Sequence, residues 1–351
     1  ALYYFKRQTA FAGLGVFVMW WVSKINYERF RGLARLALAG SIFLLILVII
    51  PGPNKYGRLL ALGENGAARW LGFPGTSFTF QPSEVAKLGL IVYFAESISQ
   101  KREKMKSFKE GFLPHIILLV VMTVLTLIEP HFSGALLILG IGAAMMVVGG
   151  IHWGWVAAGS GALGLMGYLL YFTEIIDKFF HAINYNATRL QVWRDPFGGD
   201  LAFRRDDAWQ TIQSLYAIGS GGLLGVGLGK SRQKFGYLPE AQNDYIFAIV
   251  LEELGLVGGT LIMVLFALLI IRGYWLAIHA RDRFGSLLIV GVTTQIALQS
   301  FLNIAVVTNF MPSTGISLPF FSSGGTALLI QLVEVGIVLS VSRQIPAPKA
   351  R

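Results

Sequence analysis

The sequence predicts an all-α protein, a polytopic bundle of membrane-spanning helices. Three observations carry that prediction. Of the 351 residues 54% are hydrophobic and only 14% charged, where a soluble domain carries about 25%. The apolar residues fall in long runs. The basic residues gather in loops that alternate along the chain.

A bilayer core takes about 20 apolar residues per helix. Such runs place spans at about 8–25, 33–51, 82–99, 112–128, 132–150, 153–173, 245–271, 285–308 and 324–342, about nine in all. The first loop carries Lys24, Arg29, Arg31 and Arg35, and the third carries Lys101, Arg102, Lys104, Lys106 and Lys109. Arg272, Arg281 and Arg283 precede the eighth span, and Arg343, Lys349 and Arg351 end the chain. All four sets are cytoplasmic in one alternating arrangement. The net charge of +10 is therefore a topology signal with some attraction to anionic lipid, and nucleic acid is not an expected partner. This arrangement puts residue 1 outside, so one further span is expected upstream, ten in total. The reading is of a single transmembrane domain over 1–351.

Two outer regions follow. One is Pro51 to Gln81. The other, about 174–244, is too long for a structureless loop. Within it Trp209, Ile212, Leu215 and Tyr216 have helical spacing ahead of many glycines. That pattern predicts an amphipathic or re-entrant helix lying against the membrane, then a tight turn. "GLLGVGLGKS" resembles a phosphate loop but has Leu224 where that motif needs glycine.

With no cysteine in the chain, disulfides, thiolate nucleophiles and Cys-based metal sites are excluded. Acidic residues carry the chemistry. Glu84, Lys87, Glu252, Glu253 and Glu334 fall in predicted spans, where ionisable groups face the bundle interior or a polar cavity. Glu84 and Lys87 share a helix face and are placed to pair. Glu252, Glu253 and Glu334 read first as groups that lock helices together. Asp244 stands at the outer end of its helix, one turn after Glu240. It is either an N-cap or a carboxylate base at the membrane–water boundary. Arg69, Arg189, Arg194, Arg204, Arg205, Lys230, Arg232 and Lys234 lie on the same outer side, and such a cluster suits a pyrophosphate. The segment "NFMPSTGISLPFFSSGG", with Gln295, Gln299 and Asn303 upstream, suits one wall of a polar cleft.

Five blocks carry a resemblance: "YYFKRQ", "GAARWLGFPGTSFTFQPSEVAKL", "EPHFSGALLI", "IQSLYAIGSGGLLGVGLGKSRQKFGYLPEAQNDYIFAIVLEELG" and "TGISLPFFSSGGTALL". Together they resemble the SEDS family (shape, elongation, division, sporulation), over essentially the whole chain and closest to its FtsW and SpoVE branch. The resemblance implies a peptidoglycan glycosyltransferase that polymerises lipid II outside the bacterial cytoplasmic membrane, beside a class B penicillin-binding protein. It implies Asp244 as the essential carboxylate, with Glu240, Arg69, Gln81, Ser83, Glu84, Lys87 and Glu129 at recurring polar positions. Ser322, in "FFSSGG", joins the expected substrate-binding set with Lys230, Arg232 and Lys234. Ser323 departs from the Tyr common at its position. No cofactor is implied. The reaction admits help from a divalent cation, Mg or Mn, but the sequence shows no dedicated ligand cluster. Two other functions compete, a lipid II transporter and a non-catalytic scaffold for the penicillin-binding protein.

Overall fold

The computed structural model describes residues 2–51, 61–64, 67–72, 79–129, 131–172, 188–198 and 208–345. Its helices are α1 (Leu2–Lys24), α2 (Glu28–Ile49), α3 (Pro82–Lys101), α4 (Leu113–Ile128), α5 (Phe132–Val148), α6 (Trp153–Phe172), α7 (Thr188–Arg194), α8 (Trp209–Gly221), α9 (Ile246–Ile278), α10 (Arg283–Val307) and α11 (Gly325–Ser342). Among the described residues, α2, the stretch Phe108–Ile128 containing α4, α9, α10 and α11 are long and apolar enough to cross a membrane, and α5 is a shorter apolar helix. The helical membrane class read from composition therefore stands. Parts of the long outer loop, 174–187 and 199–207, with Arg204 and Arg205, lie outside the described residues.

The chain forms two compact units. The first comprises 1–183, 272–295 and 325–351, the second 184–271 and 296–324. In the first, small residues let helices approach closely, as expected where lipid offers no hydrophobic drive for association. A side chain at Gly89 of α3 would collide with Ser41 and the Ala37 carbonyl of α2. One at Gly336 of α11 would meet the Met19 carbonyl and Val22 of α1. The loop before α10 is pinned by Asp282, which accepts hydrogen bonds from the Tyr27 hydroxyl (2.8 Å) and Arg31 Nη2 (2.9 Å).

The all-α reading missed one feature. The region Pro51–Gln81 contains a small antiparallel sheet of β1 (Ala61–Glu64), β2 (Ala67–Gly72) and β3 (Thr79–Phe80), in the order β1-β2-β3. Leu71 pairs with Phe80 and packs with Val48 of α2. Strands this short leave almost no alternating pattern to read.

A second correction concerns the span expected at 245–271. α9 is not one continuous helix. Gly255 has φ 66° and ψ −171°, a conformation essentially confined to glycine. The break separates a short helix, 246–254, from a segment at 256–278. That segment has about 23 residues and runs about 34 Å at 1.5 Å per residue, enough to cross a hydrocarbon core alone. Glu252 and Glu253 thus end a short helix instead of lying inside a long one. In α8 the buried face is Thr211, Ile212, Gln213, Ser214, Ala217 and Gly221, while Tyr216 is exposed. Only Ile212 of the expected stripe is fully covered.

Candidate functional site

The break in α9 frees backbone groups that need partners. The glycine-rich turn after α8 supplies them. The N–H groups of Val226 and Gly227 donate to the carbonyls of Glu252 and Glu253 at 2.9 and 3.0 Å. Those of Leu256 and Val257 donate to Gly222 and Leu223 at 2.9 and 3.1 Å. Glycine is required here. A side chain at Gly225, φ 79°, would strike the Glu253 carbonyl, and one at Gly221 the Leu251 carbonyl.

The two carboxylates then grip the next turn. Glu253 accepts from the N–H groups of Gly229 (2.9 Å) and Ser231 (3.2 Å) and from Lys234 Nζ. Glu252, buried, accepts from the Ser231 hydroxyl and from the Arg232 N–H at 2.9 Å. Both acids therefore lock structure, as the sequence reading favoured, but they lock a loop and not the bundle interior. The loop divides the cations. Lys234 is neutralised by Glu253. The Lys230 ammonium and Arg232 guanidinium have no hydrogen-bond or carboxylate partner among the described residues.

Asp244 lies one residue before Tyr245, which immediately precedes α9, so Asp244 is not at the cap position. The chain reaches it through Glu240, a non-glycine residue at φ 53°. Such backbone costs of order 1 kcal/mol or more and persists only where its surroundings fix it. They do so here. Trp209 Nε1 donates to the Tyr237 carbonyl at 2.8 Å, and Gln210 Nε2 to Pro239 at 3.2 Å. Glu240 in turn takes Asn243 Nδ2 at 2.6 Å on its carboxylate.

The segment Asn309–Gly325 forms the other wall. Asn303, fully buried in α10, donates from Nδ2 to the carbonyls of Asp244 (2.7 Å) and Ile316 (2.6 Å). The Ser322 hydroxyl donates to the Asn243 carbonyl at 2.6 Å and accepts from the Leu318 N–H at 2.7 Å. The Ser323 N–H donates to Gln242 at 2.9 Å. Ser322 therefore holds the backbone beside Asp244. Helix α7 fixes the far end of this wall, with Arg189 Nη1 donating to the Ser313 carbonyl at 3.1 Å and Trp193 Nε1 to Phe310 at 3.2 Å. The Asp244 side chain is half-buried, and its charge together with burial pushes the adjacent Tyr245 hydroxyl up to about 12, burial contributing most.

The first unit holds a polar cluster of its own residues. Lys87 Nζ pairs with Glu84 at 2.8 Å, both buried. Glu334 of α11, fully buried, receives both its hydrogen bonds from Gln295 Nε2, at 2.8 and 3.0 Å. It lies within electrostatic reach of Lys87 and Glu84. Glu129, at the end of α4, is buried. Sequence reasoning missed His131, quoted only inside "EPHFSG". Its ring nitrogen lies 3.1 Å from Ser83 Oγ and 3.3 Å from Gln81 Nε2, and a side chain at Gly134 would overlap the ring. Burial, reinforced by the charges of Arg69 and Lys87, holds the imidazole down at about 3. Gln81 and Ser83 thus contact one neutral histidine, and the charges of Arg69 and Lys87 act on it. Among the described residues no three His, Asp or Glu side chains come together to hold a metal ion.

Residues 1–346 match the sequence model of the FtsW, RodA and SpoVE family, described as cell cycle protein. Stage V sporulation protein E of Bacillus subtilis is 39% identical over 343 residues, spanning 98% of this chain and 88% of that one. A probable peptidoglycan glycosyltransferase FtsW of Geobacter sulfurreducens is 40% identical over 352 residues, spanning 98% and 86%. Among solved structures, the Thermus thermophilus rod shape determining protein RodA superposes with a TM-score of 0.67 at 25% identity, covering 98% of this chain and 88% of that chain. A chain from a peptidoglycan synthase complex, described as coordinating polymerization and crosslinking, gives a TM-score of 0.75 at 24% identity over 97% and 90%, a likeness of fold.

Proposed function

Because this chain belongs to the FtsW, RodA and SpoVE family of multi-pass membrane proteins, we propose that it is a peptidoglycan glycosyltransferase polymerising lipid II at the outer face of the bacterial cytoplasmic membrane. The observation that supports this reading most is the setting of Asp244. A half-buried carboxylate stands at the mouth of α9, and its backbone is fixed from the opposite wall by Asn303.

Asp244 is the general base. It takes the proton from the 4-hydroxyl of the acceptor GlcNAc as that oxygen attacks C1 of the donor MurNAc. The new C1–O bond forms as the old bond from C1 to the phosphate oxygen breaks. Undecaprenyl pyrophosphate leaves with the electron pair, and the anomeric centre inverts. General base assistance contributes about 100- to 10,000-fold. Lys230 and Arg232 are cations for the pyrophosphate, whereas Lys234 is already balanced by Glu253. The fold likeness to a chain of a polymerizing and crosslinking complex supports a class B penicillin-binding protein as partner.

The test is polymerisation of purified lipid II, with and without a crosslinking-dead partner, resolved as glycan strands on a gel. Wild type is expected to give strands, and a folded Asp244→Asn variant at least 100-fold fewer. Strands from both at equal rate would remove Asp244 from the chemistry. Silence from the wild type, with movement of lipid II across vesicles, would establish a transporter instead.

A further inference from the structure

The second unit contains an open cavity of about 790 Å³ whose lining does not include Asp244. Its apolar wall includes Leu215 and Tyr216 of α8 and Val226 of the glycine turn, and Lys230 and Arg232 line its other side. The volume is that of an ordinary ligand pocket. Glu252 also borders it, but the Ser231 hydroxyl and the Arg232 N–H already hydrogen-bond both oxygens of that carboxylate, so the cationic donors that the lining offers a ligand are the Lys230 and Arg232 side chains.

The height of this cavity in the membrane follows from the helix below it. Segment 256–278 turns Leu256, Val257, Leu261, Val264 and Leu265 outward as a lipid-facing surface. Its length spans the hydrocarbon core and ends at Gly255. The glycine turn is hydrogen-bonded directly to that end, at Leu256 and Val257. It therefore sits at headgroup level. Its tip supports the same placement. Leu224 and Leu228 are 81% and 79% exposed, and Leu223 and Phe235 are exposed beside them. Leucines pointing outward next to cations that have no carboxylate partner among the described residues form an interfacial element, with the apolar side chains in the acyl region and the charges among phosphates.

We propose that this cavity is a lipid-phosphate site. Lys230 and Arg232 bind the phosphate of a membrane lipid whose chains run along Leu223, Leu224 and Leu228. The phosphate comes either from an anionic phospholipid or from the pyrophosphate of a polyprenyl substrate. Only the second source rests on the glycosyltransferase reading.

Native mass spectrometry of the full chain in detergent tests it, with phosphatidylglycerol and undecaprenyl pyrophosphate as probes. The wild type is expected to retain lipid, and Lys230→Ala/Arg232→Ala to bind about ten- to thirty-fold more weakly, as two interfacial cations warrant. Both side chains are exposed, so the thermal midpoint should hold. If it falls, Lys230→Gln/Arg232→Gln replaces the pair. Displacement of phosphatidylglycerol by equimolar undecaprenyl pyrophosphate identifies the substrate as the source, and its persistence identifies a structural phospholipid. Equal retention by wild type and variant, or none by wild type, overturns the site. A wild type that binds lipid but forms no strands refutes the polymerase reading and leaves the site standing.

Discussion

A side chain on Gly315 would stand 3.2 Å from Oδ2 of Asp244, and Gly315 has φ 71°. The residue across from the carboxylate must therefore be small and left-handed at once. Gly315→Ala combines both penalties. The left-handed backbone costs about 1–2 kcal/mol for any L-residue, and the methyl group crowds the carboxylate. Strand synthesis is expected to drop about tenfold, with a thermal midpoint lower by a few degrees. Gly315→Asn separates the causes, since Asn tolerates this backbone better. Recovery of activity in Gly315→Asn would assign the loss to strain, and continued loss would assign it to crowding. Wild-type rates in Gly315→Ala would show that the spacing is irrelevant.

Asn303 makes a second point about the same wall. One buried amide nitrogen serves the carbonyls of Asp244 and Ile316. Asn303→Asp keeps the shape and removes both donors, facing two carbonyls with oxygen. A buried group left this way costs about 3 kcal/mol. Denaturant unfolding in detergent should show that loss, and strand synthesis should fall with it. Asn303→Leu should destabilise as well, because the carbonyls remain unpaired. An unchanged midpoint in both variants would mean that water replaces the amide.

The break at Gly255 yields the sharpest structural test. A Cβ there would collide with backbone atoms of Gly225 and Leu223, which no rotamer change relieves. Gly255→Ala is expected to cost more than about 3 kcal/mol and to prevent accumulation of folded protein. Glu252→Ala should cost less, about 2 kcal/mol, by leaving the Arg232 N–H and the Ser231 hydroxyl without their acceptor. Thermal stability by fluorescence-detected size exclusion orders the two. A Gly255→Ala protein as stable as wild type would contradict the break itself.

Much of this was legible in the sequence. Apolar runs are local signals, and they located the helices. Asp244 and Glu240 stood out because charge beside a long apolar run demands a reason. The break did not stand out. "LEELGLVGG" reads as uninterrupted helix, and the partners of its freed backbone lie about 30 residues upstream. Two acids shortly before a glycine, with a glycine-rich turn upstream, were the available clue. Asn303 was seen as a polar wall, but its hold on a carbonyl 59 positions away is a tertiary fact that no spacing encodes. Ser322 was expected at the substrate, and the fold directs its hydroxyl to backbone. His131 sat in a quoted motif with no partner in sequence to declare its role.

His131 gives a pH dependence of definite sign. It lies between α4 and α5 and is held at about 3 by burial and by Arg69 and Lys87. Its unfolded value is about 6.5. Between those values the unfolded chain carries a proton that the folded chain refuses. Acid therefore favours unfolding. The contribution of the neutral imidazole is fully present above pH 6.5 and is lost progressively as the pH falls towards 3. Thermal midpoints of the detergent-solubilised protein should fall across that window more steeply in wild type than in His131→Gln, which cannot take the proton. The substitution should lower the midpoint at pH 7.5, because Ser83 and Gln81 lose a fitted partner, and the two profiles should converge near pH 4. Parallel profiles over the whole range would place the acid sensitivity elsewhere and leave His131 accessible to water.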